Sequence, residues 1–367
     1  MQVKRIIATV LMVIMLLSLT GCGNAGQHQE AALTNENHIK IIDCAGREVS
    51  VPKAPDRVAC LFAVSSHIVS MLGDSKKIVA VSEGNKRDHL FLEIYPEIND
   101  IRTPKGSGHI NIEELFKDPP PDVVFCYKDI VQDKKMMDKI ERFGVPVVVI
   151  EFKTIEEQQY AVELIGKIMG KEEKAQAYNE YYNSVLKRVT EKVSHIPDSE
   201  KRRVYHAINE LLRTDTKASL PADWIPKTGV KPVGVAKGES TTGADKNFIS
   251  LEQLFTYDPE YIIINGKDVI DYIEAKERLH VLSAYKNGNI FLMPLGVSRW
   301  GHPYSIETPL AILWTAKTIY PEHFEDINIQ DETKDFYKNF FNYALSDDMT
   351  QKIIEGRAFK EIMGGRK

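Results

Sequence analysis

Two stretches of this chain carry the same pattern. Residues 109–127 read HINIEELFKDPPPDVVFCY, and residues 248–265 read FISLEQLFTYDPEYIIIN. Each has a polar helix cap, a short helix with Leu-Phe, a proline break and an apolar β-branched strand. Arg57-Val58 opens a strand before the first copy, and Arg203-Val204 opens one before the second. Two copies are too few for a solenoid, which needs about three repeats to bury a continuous core. They predict two similar α/β lobes, and two lobes enclose a cleft.

At 367 residues, each half is long enough to bury its own core. The net charge is −5 and no basic block occurs. That excludes a nucleic-acid partner, because phosphate recognition needs clustered Lys and Arg.

The N-terminus carries Lys4 and Arg5, then an apolar or small run over residues 6–19. It is too short to span a bilayer, which takes roughly 20 apolar residues. It reads as the core of a secretory signal. The run ends in Leu19-Thr20-Gly21-Cys22, which resembles the lipobox of bacterial lipoproteins. That resemblance implies cleavage after residue 21, lipidation of Cys22, and membrane anchoring on the extracytoplasmic face, periplasmic or cell surface. Residues 22–37 are polar and aperiodic, as a flexible tether is. Cys44, Cys60 and Cys126 remain, an odd number without metal-like spacing. Cys60 and Cys126 fall in apolar strands and read as buried packing; a disulfide between them is the alternative.

A strand pair is expected over residues 39–43 and 47–51. An N-terminal α/β lobe (38–153) follows, with strands at 58–62, 78–81, 122–127 and 147–150 and helices at 66–72, 111–117 and 134–143. Continuous apolar strands alternating with helices predict mainly parallel, Rossmann-like sheets covered on both faces. Linker helices span 154–197. In the second, Ala175, Tyr178, Tyr182, Val185 and Val189 recur at steps of three and four, one helical stripe. No Gly or Pro interrupts residues 171–193, which at about 1.5 Å per residue reach roughly 35 Å. This is the expected bridge between lobes. The C-terminal lobe (198–367) should have strands at 204–209, 261–265 and 289–293, a short one near 233–235, and helices at 305–320, 334–345 and 347–363.

Asn111 with Glu114, and Ser250 with Gln253, have capping-box spacing. Glu113 and Glu252 then read as first-turn acids favoured by the helix dipole, without a chemical role.

From Gly46-Arg47-Glu48-Val49-Ser50-Val51-Pro52 to ETPLAILWTAKTIYP at 307–321, in order, the chain resembles the substrate-binding lipoproteins of ABC importers. Pro55-Asp56-Arg57-Val58, the Met71-Leu72-Gly73 turn, both repeat copies, Gly170-Lys171 and Glu322-His323-Phe324 complete the likeness. The class has two α/β lobes joined by one long helix and binds iron–siderophores, haem, cobalamin or, in one branch, molybdate or tungstate. The resemblance implies a monomeric, non-enzymatic receptor without an intrinsic cofactor. It captures a metal chelate, foremost an iron–siderophore, or else an oxyanion, and delivers it to an ABC permease and its ATPase. A lipid-anchored sensor reusing the fold is the remaining alternative. Consistently, no G-x-S-x-G, H-E-x-x-H, G-x-G-x-x-G or P-loop occurs. The family places a Glu in each lobe to dock the permease. Here those positions hold His67 and Pro226, leaving Asp74, Glu83 or Asp223 as substitutes.

Ligands of open α/β sheets meet the loops at the carboxyl ends of strands. Those loops supply His67, Arg87, His89, Tyr127, Lys128, Arg213, Arg299, Trp300, His302 and Tyr304. Trp300, Arg299, His302, Tyr127, Arg213 and His67 are the candidate ligand-binding set. Arg suits an anion, His or Tyr a haem or metal, and aromatic walls a corrin or catecholate. The resemblance puts a cleft aromatic near Trp300. Tyr205 and His206 alternate on one strand and so face opposite sides.

Overall fold

The computed structural model describes residues 37–106, 109–235 and 247–357. The expected secretory signal, Cys22 and nearly all of the expected tether lie outside the described residues, as does the end of the last expected helix. Among the described residues no helix is long and apolar enough to cross a membrane.

An antiparallel pair, β1 (His38–Ile42) and β2 (Glu48–Pro52), precedes the first sheet. That sheet contains β3 (Val58–Cys60), β4 (Ile78–Ser82), β5 (Arg102–Gly106), β6 (His109–Ile110), β7 (Val123–Cys126) and β8 (Val147–Val149) in the order β6-β5-β4-β3-β7-β8. The second contains β9 (Arg203–Ala207), β10 (Lys231–Pro232), β11 (Tyr261–Ile264) and β12 (Ile290–Leu292) in the order β10-β9-β11-β12. The last four strands of the first sheet, β4-β3-β7-β8, follow the same order as the whole second sheet. Within these two sheets every strand pairing is parallel except β5 with β6.

The duplicated segment explains this equivalence. In the first copy Asp122 N–H donates to the Arg57 carbonyl, and its carboxylate takes the Arg57 amide and guanidinium. In the second, Glu260 N–H donates to the Arg203 carbonyl and its carboxylate takes the Arg203 amide, with the guanidinium 3.5 Å away. The acid after each proline break thus clamps the start of the neighbouring strand and sets its register. The caps differ. Ser250 and Gln253 close both halves of a capping box, whereas Asn111 only accepts from Glu114 N–H.

Thr154 caps the helix Ile155–Met169, and Gly170 ends it in the left-handed region at φ 66°. The connecting helix Glu172–Val193 follows, with all five expected stripe residues buried. Its Tyr178 hydroxyl donates to the Ile306 carbonyl (2.6 Å), and Gln158 of the preceding helix donates to the Ser305 carbonyl (2.7 Å). The linker helices therefore grip the base of a C-terminal-lobe loop.

Several expectations need correction. The short strand sits at Lys231–Pro232 rather than 233–235, because Gly234 turns to φ 79° against the Tyr205 ring. The strands β5 and β6 were not anticipated: Arg102–Gly106 contains Pro104, which falls where the register with β4 shifts, and such an irregularity tolerates the missing donor. The helix expected at 334–345 starts a turn earlier, at Ile329, where Asn328 supplies the cap. Cys44, Cys60 and Cys126 are free thiols, so the disulfide alternative falls.

Candidate ligand site between the lobes

The loops after β3, β4 and β7 meet the loop after β12. Phe62, just beyond β3, meets Tyr127 at a tilt (ring centroids 5.2 Å apart) and Tyr304 edge-on (4.8 Å). Phe152 contacts Tyr304 at 5.4 Å, and the Tyr304 hydroxyl donates to that of Tyr127 at 3.3 Å. One C-terminal-lobe ring is thus wedged among three N-terminal-lobe rings. Such edge contacts add about 0.5–1.5 kcal/mol each beyond their area.

Beside this cluster stand His302, His67, Asp88 and Arg299. His67 is buried on the helix Ala63–Met71, with Nε2 3.0 Å from Asp88 Oδ2 and, among the described residues, no hydrogen-bond partner for Nδ1. His302 keeps part of its surface open to solvent, and the protein packed around the rest of the ring lowers its pKa from the ordinary value. Asp88 opposes the drop, while His67 and Arg299 add to it, so the four groups share one electrostatic neighbourhood. The Tyr304 backbone N–H donates to His302 Nδ1 at 3.2 Å. A backbone N–H can only donate, so Nδ1 is the acceptor and the proton of the neutral ring sits on Nε2.

Arg299 is half-buried and donates to the Met293 carbonyl at 2.7 Å. Among the described residues no carboxylate lies within ion-pair distance of it, and burial lowers its pKa to about 10. Here is a guanidinium held in the protein without a counter-charge. Lys128, by contrast, is paired with Glu151.

The structure thus brings together His67, Tyr127, Arg299 and His302 of the expected set. Arg213 stands apart: its backbone bridges Phe248, and among the described residues no hydrogen bond, ion pair or ring contact joins it to the other four. Trp300 is a correction. Its ring is fully buried and its Nε1 donates to Glu307 at 3.0 Å, so it anchors the loop from inside and leaves no face on the cleft. Tyr304, two residues beyond His302, supplies the aromatic wall. Phe62 and Asp88 were missed; neither a strand-end Phe nor a loop Asp carries a local signal for ligand contact.

Below Gly301 lies a second polar pair. His206 Nδ1 is 2.6 Å from Asp215 Oδ2, and its Nε2 is 3.1 Å from Asn265 Oδ1, all buried. A side chain at Gly301 would stand 3.1 Å from both His206 Nε2 and Asn265 Oδ1. Tyr205 points the other way, its hydroxyl on the Leu211 carbonyl. Elsewhere, a cavity of about 510 Å³ opens beside Lys174, Lys338 and Phe341, away from the residues above.

Of the proposed docking substitutes, Asp74 is buried beside Lys171 and Lys77, and Asp223 accepts from Ile155 N–H and pairs with Lys227. Glu83 is exposed, 3.3 Å from Arg87.

Residues 58–295 match the periplasmic binding protein family. The chain belongs to that family. It is a solute receptor of the ABC-transporter kind, not an enzyme. It is similar to the molybdate-binding protein MolA of Haemophilus influenzae, 24% identical over 84% of this chain and 92% of that one. It is also similar to an uncharacterized ABC transporter substrate-binding lipoprotein, YvrC, of Bacillus subtilis, 21% identical over 70% of this chain and 90% of the relative. Among solved structures, a periplasmic solute binding protein from Veillonella parvula superposes with a TM-score of 0.73 at 26% identity, covering 87% of this chain and 97% of that one.

Proposed function

We propose that this receptor is anchored through Cys22, binds a small oxyanion in the interlobe cleft, and presents it to an ABC permease and its ATPase. The observation that carries the ligand class is the unpaired Arg299 guanidinium beside the His302 Nε2–H. Both groups are donors. An anion satisfies them with charge-assisted hydrogen bonds. A bare metal ion needs a ring lone pair, and the Tyr304 N–H occupies the one His302 has.

Tyr304 wedged among Phe62, Tyr127 and Phe152 also favours a small ligand, since a broad chelate would have to part those rings. The similarity to a molybdate-binding protein supports the same class. This moves the preference from the iron–siderophore expected of the sequence to an oxyanion. An anionic metal chelate is the second reading, because the Arg299 guanidinium and the His302 Nε2–H would serve its negative charge as well.

The test is calorimetry and thermal shift on the mature chain with molybdate, tungstate, sulfate and ferric citrate. A ligand at about 100 times its Kd adds about 2.7 kcal/mol of stability. Stabilisation by molybdate or tungstate is expected. Stabilisation by ferric citrate alone would transfer the reading to the chelate, and by none would overturn both. For the anchor, Cys22→Ala should release the protein from membranes; retention of that variant would rule the anchor out.

A further inference from the structure

Glu307 is fully buried at the start of the helix Thr308–Ile319. Among the described residues no cation pairs with it. Instead five donors surround it: the Val297 and Ser298 backbone N–H groups (3.3 and 2.8 Å), the Ser298 hydroxyl (3.1 Å), Trp300 Nε1 (3.0 Å) and the Tyr337 hydroxyl. Tyr337 takes the Val297 N–H at 2.9 Å, so its own proton is directed to Glu307. Donors on both oxygens are what an ionised carboxylate requires. Burial raises the pKa, and the bonds from Tyr337, Ser298 and Trp300 oppose that rise.

Four of these donors belong to residues 297–300, directly before and within the segment that carries Arg299 and His302. No side chain fits at Gly296, where a Cβ would lie 1.8 Å from Glu307 Oε1 and 2.1 Å from the Tyr337 hydroxyl oxygen. Trp300 turns inward to the carboxylate, while Arg299 and His302 on either side of it face the cleft. Ser305, bonded to Ser298 Oγ at 2.8 Å and to Glu307 N at 3.1 Å, closes the loop's far end.

We propose that Glu307 is the positioning residue of the ligand loop: its carboxylate fixes the fold-back of residues 296–305 and thereby aims Arg299 and His302 into the cleft. This deepens the oxyanion reading and rests on it for the ligand. The loop wraps an internal anion, and the strength of that wrapping sets how well the outer face grips an external one. Tyr337, from the helix Ile329–Phe341, extends the control to the C-terminal helices.

Glu307→Gln keeps the volume but turns one acceptor into a donor facing donors. Tyr337→Phe keeps the ring and removes one donor, and serves if the first variant does not fold. Imidazole NMR on the folded protein reads the His302 titration directly, and calorimetry reads molybdate affinity. In each variant the His302 midpoint should rise towards that of a free imidazole as the loop loosens. Molybdate affinity should fall at least about tenfold, since misplacement by 1 Å can cost about a hundredfold. A role in stability alone would lower the melting temperature and leave both readouts in place. That result in folded Glu307→Gln and Tyr337→Phe overturns the proposal. If the unaltered protein does not bind molybdate, the oxyanion reading fails while His302 still decides the positioning role.

Discussion

Replacing Asp215 with Asn tests the buried pair beneath the ligand loop. Burial opposes a charged His206, but the Asp215 charge and the Asp215 and Asn265 hydrogen bonds outweigh it and hold the pKa above 6.5. A folded-state pKa above the unfolded one stabilises the fold while the imidazole is protonated in both states. The contribution is therefore complete below about pH 6.5 and is lost as pH rises through the folded value. Above that, Asp215 remains buried without a cation. Breaking a buried pair costs about 3–5 kcal/mol, and the retained amide oxygen places Asp215→Asn near 3. With an unfolding entropy of about 2.1 cal/mol/K per residue over roughly 300 residues, 3 kcal/mol corresponds to about 5 °C. Thermal melts by circular dichroism between pH 5.5 and 9 should show that gap at acidic pH and a narrowing gap as pH rises. The unaltered protein should lose stability on the alkaline side, while the variant, whose buried imidazole no longer faces a charge, should gain stability as pH rises through about 6.5. A gap of constant size across the range would refute the charged His206–Asp215 pair.

Three other outcomes are expected. Arg299→Gln should weaken oxyanion binding about ten- to a hundredfold, the worth of one hydrogen bond to a charged group, with little change in melting temperature; calorimetry and a melt check both. Gly296→Ala should cost at least about 3 kcal/mol, because the new methyl displaces Glu307 or Tyr337 and strips bonds to a buried carboxylate, as a denaturant titration will show. Burial pushes the Cys44 thiol up to about 11 and those of Cys60 and Cys126 to about 12, so none should react with a thiol-specific disulfide reagent at pH 8 until the protein unfolds.

Where the sequence was misleading, the reason is directional. Trp300 and Tyr304 are both aromatic, four residues apart in a Gly- and Pro-containing loop without periodicity. Nothing local says which ring turns inward; that is settled by Glu307, whose carboxylate accepts the indole N–H. Asp88 was passed over because its significance is its distance from His67, 21 positions earlier. His67 itself lies buried against Asp88, off the exposed face a docking residue would need.

Sequence alone determined the duplicated cap–helix–proline–strand unit, the connecting helix and the parallel α/β class. Those features depend on neighbours within a few positions: a cap and its third residue, a stripe at steps of three and four, a proline that ends a helix. The tertiary structure decided what each side chain does at the cleft. It spent Trp300 on the core, left Arg299 without a counter-charge, and set the His302 proton on Nε2. These outcomes depend on where buried polar groups find partners, from two to 147 positions apart. An unsatisfied group in the interior costs more than a local preference can repay, so those partners fix the loop that the sequence left open.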